Sequence, residues 1–227
     1  ANYADFFFLF CRTDPDAPKH KGISVVLVDM DTPGITVRPL AEIVKPEHPD
    51  LNEVFFEDVV VPKENLVGQM NNGWAMANGS LAHERGMVWL SGVLGLEDEI
   101  DKVLAEAPDK LARLTPTERA VVADGLVQSA IDVAAARCLG YRGFAKLVRG
   151  GSAPEQALMK AFTSESRQRL ALRAAEMGAD HLVDLAPTPT EHSWLEAYFV
   201  TFGGTISAGS SEIQRNIIAE KVLGLPR

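Results

Sequence analysis

This chain has little with which to staple or metallate itself, since its 227 residues include only two cysteines and five histidines. Cys11 and Cys138 lie far apart and match no metal-binding or redox spacing. Both are read as packed free thiols, in keeping with a reducing cytoplasm. No apolar run approaches the ~20 residues of a membrane-spanning helix, and no secretory segment is visible. Basic residues are outnumbered, 22 against 31 acidic, for a net charge of −9 and no long Lys/Arg run. Neutralising a phosphate backbone needs clustered cations, which argues against nucleic acid as a partner. The sequence holds no P-loop, no GxGxxG dinucleotide fingerprint, no Ser-His-Asp arrangement, no internal repeat and no low-complexity tract.

What remains is an ordinary globular composition, 46% hydrophobic and 23% charged. It divides by periodicity. Residues 1–66 read as β. An aromatic run spans 6–10, a second apolar run 23–28, an alternating segment 35–38 and a β-branched and aromatic run 52–61, ended by Pro62. The turn Asp31-Thr32-Pro33-Gly34 separates the second and third of these.

From Asn72 the period becomes helical. Ala77, Leu81, Val88 and Gly92 share one face. A second helix is expected over 117–148, with Pro116 in its first turn and Val122, Leu126, Ala130, Val133, Tyr141 and Phe144 in register. A third is expected from Pro154 to about residue 184, with Ala161, Gln168, Ala171, Ala175 and Gly178 giving a close-packing side. Pro187 and Pro189 precede a fourth helix over 191–202. Gly203, Gly204 and Gly209 then break the chain before a terminal helix, where Ser211 and Gln214 have capping-box spacing. The predicted architecture is α+β, with strands in residues 1–68 and an antiparallel helical bundle in 69–227.

Three segments carry a resemblance. Asn52-Glu53-Val54-Phe55-Phe56-Glu57-Asp58-Val59-Val60-Val61-Pro62 resembles the last strand of the middle β domain of acyl-CoA dehydrogenases. Gly73-Trp74 and His83-Glu84-Arg85-Gly86 resemble the start of their C-terminal bundle. Residues 203–218 resemble their terminal flavin loop and helix, and residues 12–40 are similar to the actinobacterial branch. The resemblance implies part of a β-barrel-like middle domain followed by the family's helical bundle. It also implies FAD as cofactor, an acyl-CoA substrate, a homo- or hetero-oligomer and an electron-transfer flavoprotein as acceptor. Family members remove an α-proton of the thioester with a carboxylate while hydride leaves the β-carbon for the flavin, giving a trans-2-enoyl-CoA. The expected setting is fatty-acid or related lipid and sterol side-chain degradation.

Many members carry the base in the terminal loop, where this chain has Ala208. An alanine cannot take a proton, so the carboxylate is sought elsewhere. Leu81, Glu84 and Val88 are spaced by three and four residues and share a helix face. An acid in an apolar stripe is costly unless paired or used, and burial strengthens it as a base. The resemblance carries catalysis over to Glu84, because some members have their glutamate directly before an arginine. Arg85 then orients the carboxylate. A structural salt bridge between Glu84 and Arg85 or another neighbour is the competing reading. His83 reads as a surface or packing residue, and Glu212 as a favourable charge in the first turn of the last helix. Thr205, Ser210 and Glu212 are the expected flavin contacts by position in the loop.

Other parts of the family pattern are missing from these 227 residues. The N-terminal helical domain and the early flavin-contacting β segment are absent, and residues 97–119 replace an Arg-x-x-Phe-Gly run that holds the adenosine half of FAD. A glutamine expected on the third bundle helix is also not found near 174–178. The chain, which starts at Ala1, reads either as part of a longer enzyme or as one subunit of a heteromeric dehydrogenase. A non-catalytic partner subunit is the alternative function.

Overall fold

The computed structural model describes residues 1–44, 49–150, 155–177 and 193–226, with the backbone alone described at 80–90, 147, 155 and 156. Two compact units divide it, Ala1–His83 and Glu84–Arg227.

The first unit is mostly β. Strands β1 (Phe6–Arg12), β2 (Ile23–Asp29) and β5 (Leu66–Val67) form an antiparallel sheet in the order β1-β2-β5, and β3 (Ile35–Pro39) pairs with β4 (Asn52–Phe56) in a second. Phe6 pairs with Asp29 and Arg12 with Ile23, while Ile35 pairs with Phe56. Ser24, Val25 and Val28 of β2 are fully buried. Phe7 of β1 meets Phe56 of β4 edge-on at 5.4 Å between ring centres, joining the two sheets. The strand expected to run to residue 61 stops at Phe56. There the Glu57 N–H donates to Gly34 O at 2.9 Å, and Asp58 turns into the left-handed region at φ 52.

The helices are α1 (Gly73–Leu111), α2 (Pro116–Val148), α3 (Glu155–Met177), α4 (Trp194–Ile206) and α5 (Ser211–Ile217), closed by a π turn at Ile218–Val222. Helix α1 carries the boundary between the units. Val93, Leu96, Ile100, Val103 and Ala107 recur along it every three or four residues and are all buried. They form one core with Leu126, Val133 and Ala136 of α2, Met159, Leu170, Ala174 and Ala175 of α3, and Trp194 of α4. Arginines on α3 fix its neighbours. Arg167 meets Glu99 of α1 at 2.8 Å, and Arg169 meets Asp132 of α2 at 3.0 Å. The close-packing side of α3 holds for Ala161, Ala171 and Ala175, which are buried. Gly178 and the expected helix end near residue 184 lie outside the described residues, as do Pro154, Pro187 and Pro189.

Several expectations need correction. Tyr141 and Phe144 are exposed although they continue the spacing of Leu126 and Val133. Residues 97–111, which stand in place of the Arg-x-x-Phe-Gly run, belong to α1, which continues through Pro108 and ends three residues later. Pro108 has no N–H to give to the Leu104 carbonyl, and the helix ends within a turn of it. Arg119 then donates to the Leu111 carbonyl that α1 leaves open, at 3.0 Å, and to the Leu114 carbonyl in the turn beyond, at 3.2 Å. Helix α2 begins in a capping box: the Glu118 N–H donates to the Thr115 hydroxyl at 3.4 Å, and the Thr115 N–H donates to Glu118 Oε2 at 3.0 Å. Cys138 is exposed rather than packed, and Cys11 is half-buried. Among the described residues no helix is long and apolar enough to cross a membrane.

Candidate functional site

The turn between α4 and α5 has a specific shape. Helix α4 does not stop at Gly203-Gly204 as expected but runs through both to Ile206, so the turn shrinks to residues 207–210. Ala208 and Gly209 are both left-handed, at φ 53 and 95. For alanine this costs roughly 1–2 kcal/mol. The return is that both carbonyls accept hydrogen bonds. Gln214 Nε2 donates to Ala208 O at 2.8 Å and to Gly209 O at 3.4 Å, and Lys160 Nζ donates to Gly209 O at 2.6 Å.

The cap of α5 also differs from expectation by one residue. Ser210, not Ser211, is the cap, its Oγ accepting from the Ile213 N–H at 3.4 Å. Ser211 and Gln214 are buried. Gln214 is therefore free of any capping task and reaches back across the turn.

Two clefts flank this turn. One, of about 260 Å³, is lined by Ser91 and Gly92 of α1, Lys160, Thr163 and Arg167 of α3, Thr201 and Gly204 of α4, and Ser207 and Ala208. The other, of about 440 Å³, is lined by Glu165, Gln168 and Arg169 of α3, Phe202 and Thr205 of α4, and Ser210, Ser211, Glu212 and Arg215. Ala208 thus contributes to the first cleft and Ser210 to the second.

The structure brings Thr205, Ser210 and Glu212 to the same cleft. Thr205 sits on α4 rather than in a loop, and its hydroxyl donates to Phe202 O at 2.9 Å. Glu212 is exposed, and its carboxyl is held below the ordinary value by its own backbone N–H and then by the Ser210 hydroxyl. Arg215 closes the rim, 2.6 Å from Glu165. The side chains of Glu84 and Arg85, like those of Leu81, His83 and Val88, lie outside the described residues, although the α1 backbone runs unbroken through them.

Sequence reasoning missed Lys160, Thr163, Arg167 and Thr201. A signal for the first three was present: residues 160, 163 and 167 fall on one side of a helix otherwise rich in alanine. Burial pushes the Lys160 ammonium below its ordinary value, with Glu165 and Glu212 countering part of that.

Residues 71–223 match the family model described as acyl-CoA dehydrogenase, C-terminal domain. The chain belongs to the acyl-CoA dehydrogenase family. It is 35% identical over its whole length to acyl-CoA dehydrogenase FadE34 of Mycobacterium tuberculosis, of which it spans 30%. To acyl-CoA dehydrogenase IpdE1 of the same organism it is 31% identical over its whole length, spanning 57% of that protein. Among solved structures, the Tcur3481-Tcur3483 steroid ACAD superposes with a TM-score of 0.80 at 26% identity, covering 100% of this chain and 58% of that one. An acyl-CoA dehydrogenase from Geobacillus kaustophilus gives a TM-score of 0.80 at 27% identity, covering 97% and 57%. The α+β fold and its helical bundle are thus those of this family, while the chain spans only a third to three fifths of these relatives' lengths.

The donor set of the larger cleft suits part of an FAD molecule. The hydroxyls of Thr205, Ser210 and Ser211 and the guanidiniums of Arg169 and Arg215 match phosphate oxygens, and the Glu212 carboxylate matches ribose hydroxyls.

Proposed function

We propose that this chain is part of an FAD-dependent acyl-CoA dehydrogenase that converts an acyl-CoA thioester to a trans-2-enoyl-CoA. Its strands would form part of the β-barrel-like middle domain of the family, and lipid or sterol side-chain degradation is the proposed setting. The observation that carries the reading is the smaller cleft. It reaches the terminal turn at Ala208, which has no acid to offer, and it reaches α1 at Ser91. Position 84 lies seven residues before Ser91 on the same continuous helix. Two turns return to the same face, about 10 Å along the axis. The backbone at position 84 thus falls on the same side of α1 as Ser91, which borders the cleft, and the turn facing that cleft offers only Ala208.

In this reading Glu84 takes the α-proton of the acyl group. The base must be desolvated to be competent and must come within hydrogen-bond reach of that carbon. Arg85 orients the carboxylate. Thr205, Ser210 and Glu212 hold the cofactor from the other side of the turn. When bound, FAD supplies the acceptor for hydride leaving the β-carbon. An electron-transfer flavoprotein is the proposed electron acceptor, and the working particle is a homo- or hetero-oligomer. The test uses the whole protein, purified with any partner. Glu84→Gln should retain flavin absorbance and lose turnover by at least a hundredfold. Turnover within threefold of the unmodified protein refutes the base assignment.

A second reading, a non-catalytic partner subunit, is favoured by the same Ala208. Colourless protein and a partner fully active without this chain would establish it.

A further inference from the structure

The terminal turn is one residue thick where it separates the two clefts: Ala208 borders one, Ser210 the other, and Gly209 lies between. What fixes Gly209 therefore fixes the wall. Its own conformation does not, since at φ 95 it occupies a region that a glycine leaves readily. Its carbonyl is instead held from a helix 49 residues earlier by Lys160 Nζ at 2.6 Å. The donor is a cation, so the bond is charge-assisted.

An ordinary surface lysine keeps its ammonium in water or against a carboxylate. Lys160 is half-buried, and its ammonium pairs with a backbone carbonyl. The carboxylates of Glu165 and Glu212 attract it, yet neither forms an ion pair with it among the described residues, where each is instead engaged with Arg215. A partly desolvated cation spent on a carbonyl is a poor source of stability. It is a good way to hold one peptide in place. Gln214, buried on α5, grips the neighbouring carbonyl of Ala208 at 2.8 Å, so two successive peptides are gripped from two different helices.

We propose that Lys160 is a positioning residue, a cationic latch that sets the location of the Ala208–Ser210 wall between the acyl cleft and the flavin cleft. Its catalytic consequence rests on the function proposed above, but the latch itself does not. In a reaction in which proton and hydride leave adjacent carbons toward opposite sides, the distance between the two sides is set by this wall. A loosened wall costs alignment and leaves the ligands bound.

Two measurements on the full protein with its partner test this. The first is hydrogen exchange over residues 207–216 in Lys160→Met, a neutral side chain of similar length. Amide exchange there should accelerate about tenfold or more, with α2 unchanged, and Lys160→Arg should restore most of the protection. Unchanged exchange in the turn, or equal acceleration throughout the chain, overturns the latch. The second is steady-state turnover. Lys160→Met should lower kcat about ten- to hundredfold, as for a lost charge-assisted hydrogen bond, with KM and bound flavin within twofold. A kcat within twofold overturns its role in alignment. Local acceleration of exchange in a protein that performs no dehydrogenation supports the latch and removes the catalytic reading, so the two fail separately.

Discussion

Replacing Gly209 by alanine puts a Cβ 2.6 Å from Gln214 Nε2, on a backbone at φ 95. Both terms oppose the change. An L-residue held in that region costs of order 1–3 kcal/mol. The intruding methyl also displaces the amide that serves the Ala208 and Gly209 carbonyls, and each lost hydrogen bond adds about 1 kcal/mol. The sum is about 2–5 kcal/mol. For a chain of this size each kcal/mol moves the midpoint of thermal unfolding by about 2–4 °C, so a fall of roughly 4–20 °C is expected. Gly203, six residues earlier, should behave oppositely. It lies inside α4, is exposed, and a Cβ there meets nothing within 4 Å. Gly203→Ala should therefore stabilise by about 0.5–1 kcal/mol through helix propensity. Thermal unfolding followed by circular dichroism reads both. A fall under 2 °C for Gly209→Ala, or the same sign for the two variants, would refute the division of these glycines into helix and turn.

Two further effects follow from the helix ends. Thr115→Ala removes the hydroxyl that caps α2 and should cost about 1 kcal/mol in a denaturant titration, with no change in the slope of the transition. Glu118 is held below its ordinary 4.5 by the Thr115 hydroxyl and then the Thr115 N–H, and Glu212 is also lowered. Stabilisation by a lowered carboxyl is complete above 4.5 and disappears as pH falls through the folded-state value. The denaturation midpoint should thus drop on acidification below about pH 4.5, and drop less steeply in Glu118→Gln. An unchanged slope in that variant would exclude Glu118 as a contributor.

The helices and most strands were legible because their signals are local. Aromatic, apolar and β-branched runs marked β1, β2 and β4, alternation marked β3, and the stripe through Leu126 and Val133 marked α2. Errors came where one residue type serves two purposes. Gly203 and Gly204 read as breakers, yet a glycine pair at the end of a helix held by Trp194 in the core is tolerated. The tandem Ser210-Ser211 offered two caps one residue apart, and spacing to Gln214 selected the wrong one, because Gln214 is engaged with Ala208 O instead. Tyr141 and Phe144 continued the apolar stripe in spacing but are exposed. Lys160 left the weakest trace. Its partner is a backbone carbonyl 49 positions away, and a carbonyl carries no side-chain signature. The acid–arginine pair at Glu84 and Arg85 was visible only through family likeness, since helical spacing alone equally describes a salt bridge.

Ala208 already bends the chain into a conformation that most residues resist. Because a side chain is tolerated there, exchanging it for an acidic one requires no new route for the peptide. Under the function proposed above, an acid placed at position 208 would stand in for Glu84 while the bundle underneath stays as it is.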